Sequence, residues 1–90
     1  MNTARRFKVQ PNVMSRKVGD EHVLLDVEKG IYFGLDAVGS RIWELLEAEP
    51  SLDEVIAAVV REYDVAAPDA RRDVLGLMQE LLDRDLVGNA

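Results

Sequence analysis

The chain has 90 residues, 48% hydrophobic and 31% charged, with a formal net charge of −6 and no cysteine. This length supports one domain with a single modest core, and the ordinary balance of apolar and charged residues excludes wholesale disorder. The missing cysteines exclude a disulfide framework, a cysteine-based zinc site and a thiol nucleophile. No apolar run approaches the length of a membrane span.

Arg5, Arg6, Lys8, Arg16 and Lys17 stand in the first seventeen residues with no acidic residue among them, and the rest of the chain is strongly acidic. Such a body repels phosphate backbones and argues against a nucleic-acid module. The first residues carry no apolar stretch after their arginines, so they do not read as a signal peptide, and a cytoplasmic protein is expected. Residues 1–11 read as a flexible basic arm and residues 12–88 as one folded domain entered at Pro11-Asn12. The arm either serves solubility and attraction to the acidic body or steers an acidic peptide.

In chain order, Val13–Val18 is a weakly patterned first strand ending at Gly19-Asp20. Val23–Val27 is a second, with Val23, Leu25 and Val27 on one face by the period of two. Glu28-Lys29-Gly30 is a hairpin loop with glycine where a positive φ is needed. The third strand, Ile31–Leu35, places Ile31, Phe33 and Leu35 together and Tyr32 and Gly34 opposite. Asp36 is an N-cap for the first helix, along which Val38, Ile42, Leu45 and Leu46 recur at helical spacing and Gly39 permits a close approach. Ser51-Leu52-Asp53-Glu54 is a capping box opening a second helix, whose buried face is Val55, Ile56, Val59, Val60 and Tyr63. A third helix starts near Pro68 or Asp69 and runs to about Arg84. On it Val74, Leu75, Leu77, Met78, Leu81 and Leu82 cover an arc of roughly 160°, wide enough for a core face and one wall of a groove. The expected fold is α+β: a three-stranded antiparallel sheet followed by three helices, resembling a winged helix.

Chemistry is hard to find. No HExxH, Walker, EF-hand or dinucleotide pattern occurs, so no cofactor, metal or catalysis is expected. His22, beside a turn, reads as a surface residue. Trp43 reads as an anchor between helix and sheet. Two kinds of binding remain. A winged helix reads DNA with one helix, and the third helix offers Arg71 and Arg72, but Asp69, Asp73, Glu80, Asp83 and Asp85 oppose phosphates. The acidity favours the alternative, in which an extended peptide adds a strand to the sheet edge. Self-pairing of that edge is a third reading, so a monomer or weak dimer is expected.

The runs LLDVEKGIYFGLDAVGSRIWELL, SLDEVIAAVVREYDV and DVLGLMQELLDRDLV resemble PqqD-like proteins over roughly residues 13–87. The resemblance rests on Asp26, on Gly30, Tyr32, Leu35 and Asp36 in a G-x-Y-x-x-L-D pattern, and on Gly39 with Ile42-Trp43. The wording is closest to the stand-alone members that work with lasso peptides. The resemblance implies a non-catalytic, winged-helix peptide-binding domain. A precursor's leader segment would pair with the third strand, pack on the third helix and be presented to a maturation enzyme. That enzyme would be a lasso leader peptidase, or alternatively a radical-SAM protein. Carried onto this chain, the pairing strand is Gly30, Ile31, Tyr32, Phe33, Gly34 and Leu35, and the helix wall is Arg71, Val74, Leu75 and Met78. Gly30, Leu35, Asp36, Gly39 and Trp43 also hold structural roles, and Tyr32 belongs either to the groove or to the outer sheet face.

Overall fold

A computed structural model describes residues 2–90. The order is β1 (Phe7–Val9), β2 (Val13–Val18), β3 (Glu21–Asp26), β4 (Ile31–Leu35), α1 (Ala37–Leu45), α2 (Leu52–Tyr63), α3 (Ala67–Asp83) and β5 (Val87–Asn89), with one 3-10 turn, Leu46–Ala48, after α1. The three-stranded antiparallel sheet and three helices expected from the sequence are present, the strands in order β2-β3-β4. Gly30 closes the β3–β4 hairpin at φ +68°, and its N–H donates to the Asp26 carbonyl at 2.8 Å. A side chain at that φ would be strained, so glycine is required there.

Local signals in the sequence set the helix starts. The Asp36 carboxylate accepts the Gly39 N–H at 2.8 Å and caps α1. Ser51 and Glu54 form the reciprocal capping box of α2. Asp64 in the left-handed region ends α2, and α3 starts at Ala67 with no side-chain cap but with Pro68 in its first turn.

The amino-terminal segment differs from the flexible arm that composition suggests. β1 pairs antiparallel with β5 in a second, two-stranded sheet, and Phe7 is 0% exposed in the core. The backbone is tied to the start of α2 as well: Leu52 N–H donates to Arg5 O at 3.2 Å and Asp53 N–H to Thr3 O at 2.9 Å. Arg6 pairs with Glu54 at 3.1 Å. Burial of one aromatic ring, with backbone pairing on either side of it, outweighs the solubility of the arginines around it. Met1, which the arm reading includes, lies outside the described residues.

The core is filled from every layer: Phe7, Leu24, Leu35, Ile42, Trp43, Leu46, Leu52, Val55, Val59, Val74, Met78 and Leu81. Trp43 is buried in it, as an anchor should be. Pairing fixes the two faces of the main sheet. His22, Leu24 and Asp26 stand opposite Leu35, Phe33 and Ile31 on the inner face. Val23 and Leu25 face outward with Met14, Arg16, Gly34 and Tyr32.

His22 is therefore not the surface residue its place beside a turn suggests. It is buried, with Nε2 3.1 Å from Glu44 Oε2, and Glu44 also holds Lys17 at 3.1 Å. Ser40 completes this joint: its hydroxyl accepts the His22 N–H at 2.7 Å and donates to Leu35 O at 3.3 Å. One serine on α1 thus locks the ends of β3 and β4 against the helix.

Candidate functional site

β4 is an edge strand, and among the described residues no strand pairs with its outer side. Alternate backbone N–H and C=O groups of an antiparallel edge point away from the neighbouring strand, ready to pair with another chain. α3 flanks this edge, and a groove of about 400 Å³ separates the two. Phe33, Leu35, Val38 and Ile42 form its apolar floor, while Asp73, Leu77 and Glu80 of α3 form the facing wall. Gly39 also lines it, at a close approach where an added Cβ would lie 3.2 Å from Asp36 Oδ1 and 3.3 Å from Leu35 Cδ2.

A smaller recess of about 90 Å³ continues beyond Phe33, lined by Asp26, Lys29, Ile31, Arg84 and Leu86. The Arg84 guanidinium lies 4.6 Å from the Phe33 ring centroid and marks the division between the two recesses. Asp26 forms the base of the hairpin, not a free acid. Its Oδ1 accepts the Glu28 N–H at 3.0 Å and the Lys29 N–H at 3.2 Å. Burial pushes this carboxyl up, but the nearby Asn12 amide, hydrogen bonds from the Lys29 and Glu28 amides and the Lys29 charge outweigh it and hold the pKa below the ordinary value. The turn therefore presents the strand edge from a rigid base.

The sequence-derived site residues fall into three groups. Ile31, Phe33 and Leu35 bring their side chains to the groove side of β4. Tyr32 and Gly34 point to the outer face, Tyr32 with 68% of its surface exposed. On α3 the groove wall is not formed by Arg71, Val74, Leu75 and Met78. Val74 and Met78 are 0% exposed in the core; Leu75 is half-buried and Arg71 exposed, and neither lines the groove. At 100° per residue the wall stripe Asp73-Leu77-Glu80-Arg84 lies roughly a quarter turn from the core stripe Ala70-Val74-Met78-Leu81. Leu75 and Arg71 lie on its far flank. Leu77 belongs to the apolar arc visible in the sequence, but Asp73, Glu80 and Arg84 carry no apolar signal to reveal them.

An open sheet edge that faces α3 across an apolar floor is the feature of this fold most open to another chain, and comparison with known families places the fold. The profile of the family described as Coenzyme PQQ synthesis protein D (PqqD) matches residues 21–87, and the chain belongs to this family. Among solved structures it is similar to TbiB1 in complex with the TbiA(beta) leader peptide, at 42% identity and a TM-score of 0.84 over 89% of this chain and 93% of that one. It is also similar to a lasso peptide synthetase B1 complexed with the leader peptide, at 27% identity and a TM-score of 0.82 over 91% and 96% of the two chains. No curated protein matches it.

Proposed function

We propose that this chain binds the leader segment of a ribosomally made precursor peptide as an added strand on β4 and presents it to a maturation enzyme, foremost a lasso-type leader peptidase. The observation that carries this reading is the unpaired β4 edge facing Leu77 of α3 across an apolar groove. Two similar proteins, each solved with a leader peptide, support it. Main-chain hydrogen bonds supply affinity without a charged surface, and alternate side chains of the peptide drop toward Phe33, Leu35 and Leu77. The backbone of Gly30–Leu35 is the pairing strand, and Leu77 with the aliphatic parts of Asp73 and Glu80 is the helix contact.

In this reading the chain is a recognition protein and not an enzyme. Its single histidine is spent on Glu44 inside the fold, and its most buried acid is spent on a turn. The outer sheet face supports a role in presentation. Met14, Val18, Val23 and Tyr32 leave a broad apolar surface open there, contiguous with the edge where the peptide would lie, and such a patch is suited to contact the receiving enzyme.

A labelled leader peptide from the precursor encoded beside this gene, titrated by fluorescence anisotropy, tests the binding. Saturation at or below about 10 µM, a free energy near −7 kcal/mol, is expected, along with slowed amide exchange across Ile31–Leu35. No saturation well above that concentration would overturn the reading. Cleavage of the precursor by a lasso-type leader peptidase should be faster with this chain present. Acceleration of a radical-SAM enzyme instead would transfer the presentation role to that class.

A further inference from the structure

Resting on the peptide-binding reading, we infer that the groove selects its peptide by charge: the accepted strand carries a lysine or arginine where it crosses Asp36 and Asp73, and an acidic or uncharged residue about four positions away, over Lys29 and Arg84. The two recesses differ in sign. Asp36, Asp73 and Glu80 line the larger one with no cation among its lining residues. The smaller one is lined by Lys29 and Arg84, and its one acid, Asp26, is committed to backbone amides. β4 and α3 run past each other in opposite senses. Asp73 therefore sits at the Leu35 end, and Arg84 at the Ile31 and Phe33 end.

The negative end is poorly neutralised from within the chain. Arg72 is shared between Asp69 at 3.5 Å and Asp73 at 3.4 Å, all three largely exposed. Asp36 gives one oxygen to the Gly39 amide. Glu80 is paired toward the positive end, with Arg84 at 3.4 Å. The amino-terminal arginines, a possible attractor for an acidic peptide, are engaged elsewhere: Arg6 with Glu54 and the Glu49 carbonyl, and Arg5 with Asn89 and the Phe7 ring. An acidic segment would meet repulsion at the wide end, and a basic one attraction. Four residues of strand span about 13 Å, more than the screening length of about 8 Å at physiological salt. The two ends therefore read their charges separately, and the polarity also fixes the direction in which the peptide lies.

The probe is a fluorescein-labelled synthetic peptide with the leader sequence of the precursor encoded beside this gene, titrated at low and high salt. Wild-type affinity should fall with salt. Asp73→Asn and Glu80→Gln, both at exposed positions, should each weaken binding about 1.5- to fivefold at low salt, with the difference lost at high salt. Asp36→Asn retains the helix cap and should act in the same direction. Exchanging the peptide's basic residue for glutamate should weaken binding to the wild type, and Asp73→Lys should restore it. Unchanged or tighter binding by the neutralised variants, failure of that rescue, or a pairing segment without lysine or arginine overturns the charge rule while leaving strand addition standing. Failure of the wild-type chain to bind the peptide at all overturns both.

Discussion

Two substitutions about 4.5 Å of helix rise apart should have different consequences. Val74 is 0% exposed, so Val74→Asp loses about 1.5–3 kcal/mol of burial. It also places a carboxylate where no partner exists, at a further cost of several kcal/mol. The sum approaches the whole stability of a domain this size, about 5–13 kcal/mol at roughly 0.05–0.15 kcal/mol per residue. Val74→Asp should unfold the chain, with loss of the cooperative melt in circular dichroism. Leu77 is mostly buried and lines the groove, so Leu77→Ala should cost somewhat less stability than the roughly 2–5 kcal/mol typical of a core leucine. The peptide would cover the exposed remainder of Leu77, at most about a third of a burial worth about 1.5–3 kcal/mol, so leader affinity should drop by up to about fivefold. Melting curves and anisotropy titrations on the same preparations separate the two effects. A folded Val74→Asp protein that no longer binds would refute the assignment of the core stripe. A Leu77→Ala protein that binds like the wild type would show that the peptide does not lie in this groove.

The amino-terminal segment should behave as structure: Phe7→Ala should destabilise by about 3–5 kcal/mol in urea unfolding, and wild-type stability after removal of residues 1–9 would refute its place in the core. Acid should destabilise the fold. Asp26, Glu44, Glu54 and Glu62 all have carboxyl pKa values below the ordinary range, Glu44 through hydrogen bonds from His22 and Lys17, Glu54 through Ser51 and Glu62 through Arg41. A depressed folded value contributes stability that is present above the unfolded pKa and lost as pH falls through the folded one. The melting temperature should therefore be level at neutral pH and fall below about pH 4, less steeply in Glu44→Gln than in the wild type. A wild-type melting temperature that held steady to pH 2 would contradict these pairings.

What was legible in the sequence, and what was not, divides along the range of the interactions. Asp36, Gly30 and the Ser51–Glu54 box act within four residues of themselves, so their types and spacing sufficed. β1 and β5 were invisible because each is three residues long and pairs Phe7 with Asn89 from the other end of the chain. On α3 the apolar arc is wider than its fully buried stripe, and the groove lies at its charged margin, where Leu77 stands among Asp73, Glu80 and Arg84, and not at the apolar margin occupied by Leu75. β3 is the most instructive case. Its alternation puts Val23 and Leu25 outward and His22 and Asp26 inward, the reverse of what burial by hydrophobicity alone would select. The inversion is tolerated because each inward polar residue is partnered in part: His22 Nε2 meets Glu44 and its backbone N–H donates to Ser40, and Asp26 Oδ1 accepts the turn amides. Covering the outer residues within the fold would need a second layer that the chain does not supply. Inward polar residues that are partnered except at His22 Nδ1 and Asp26 Oδ2, beside an apolar strand face left uncovered, are the pattern on which the proposed contact with a receiving enzyme rests.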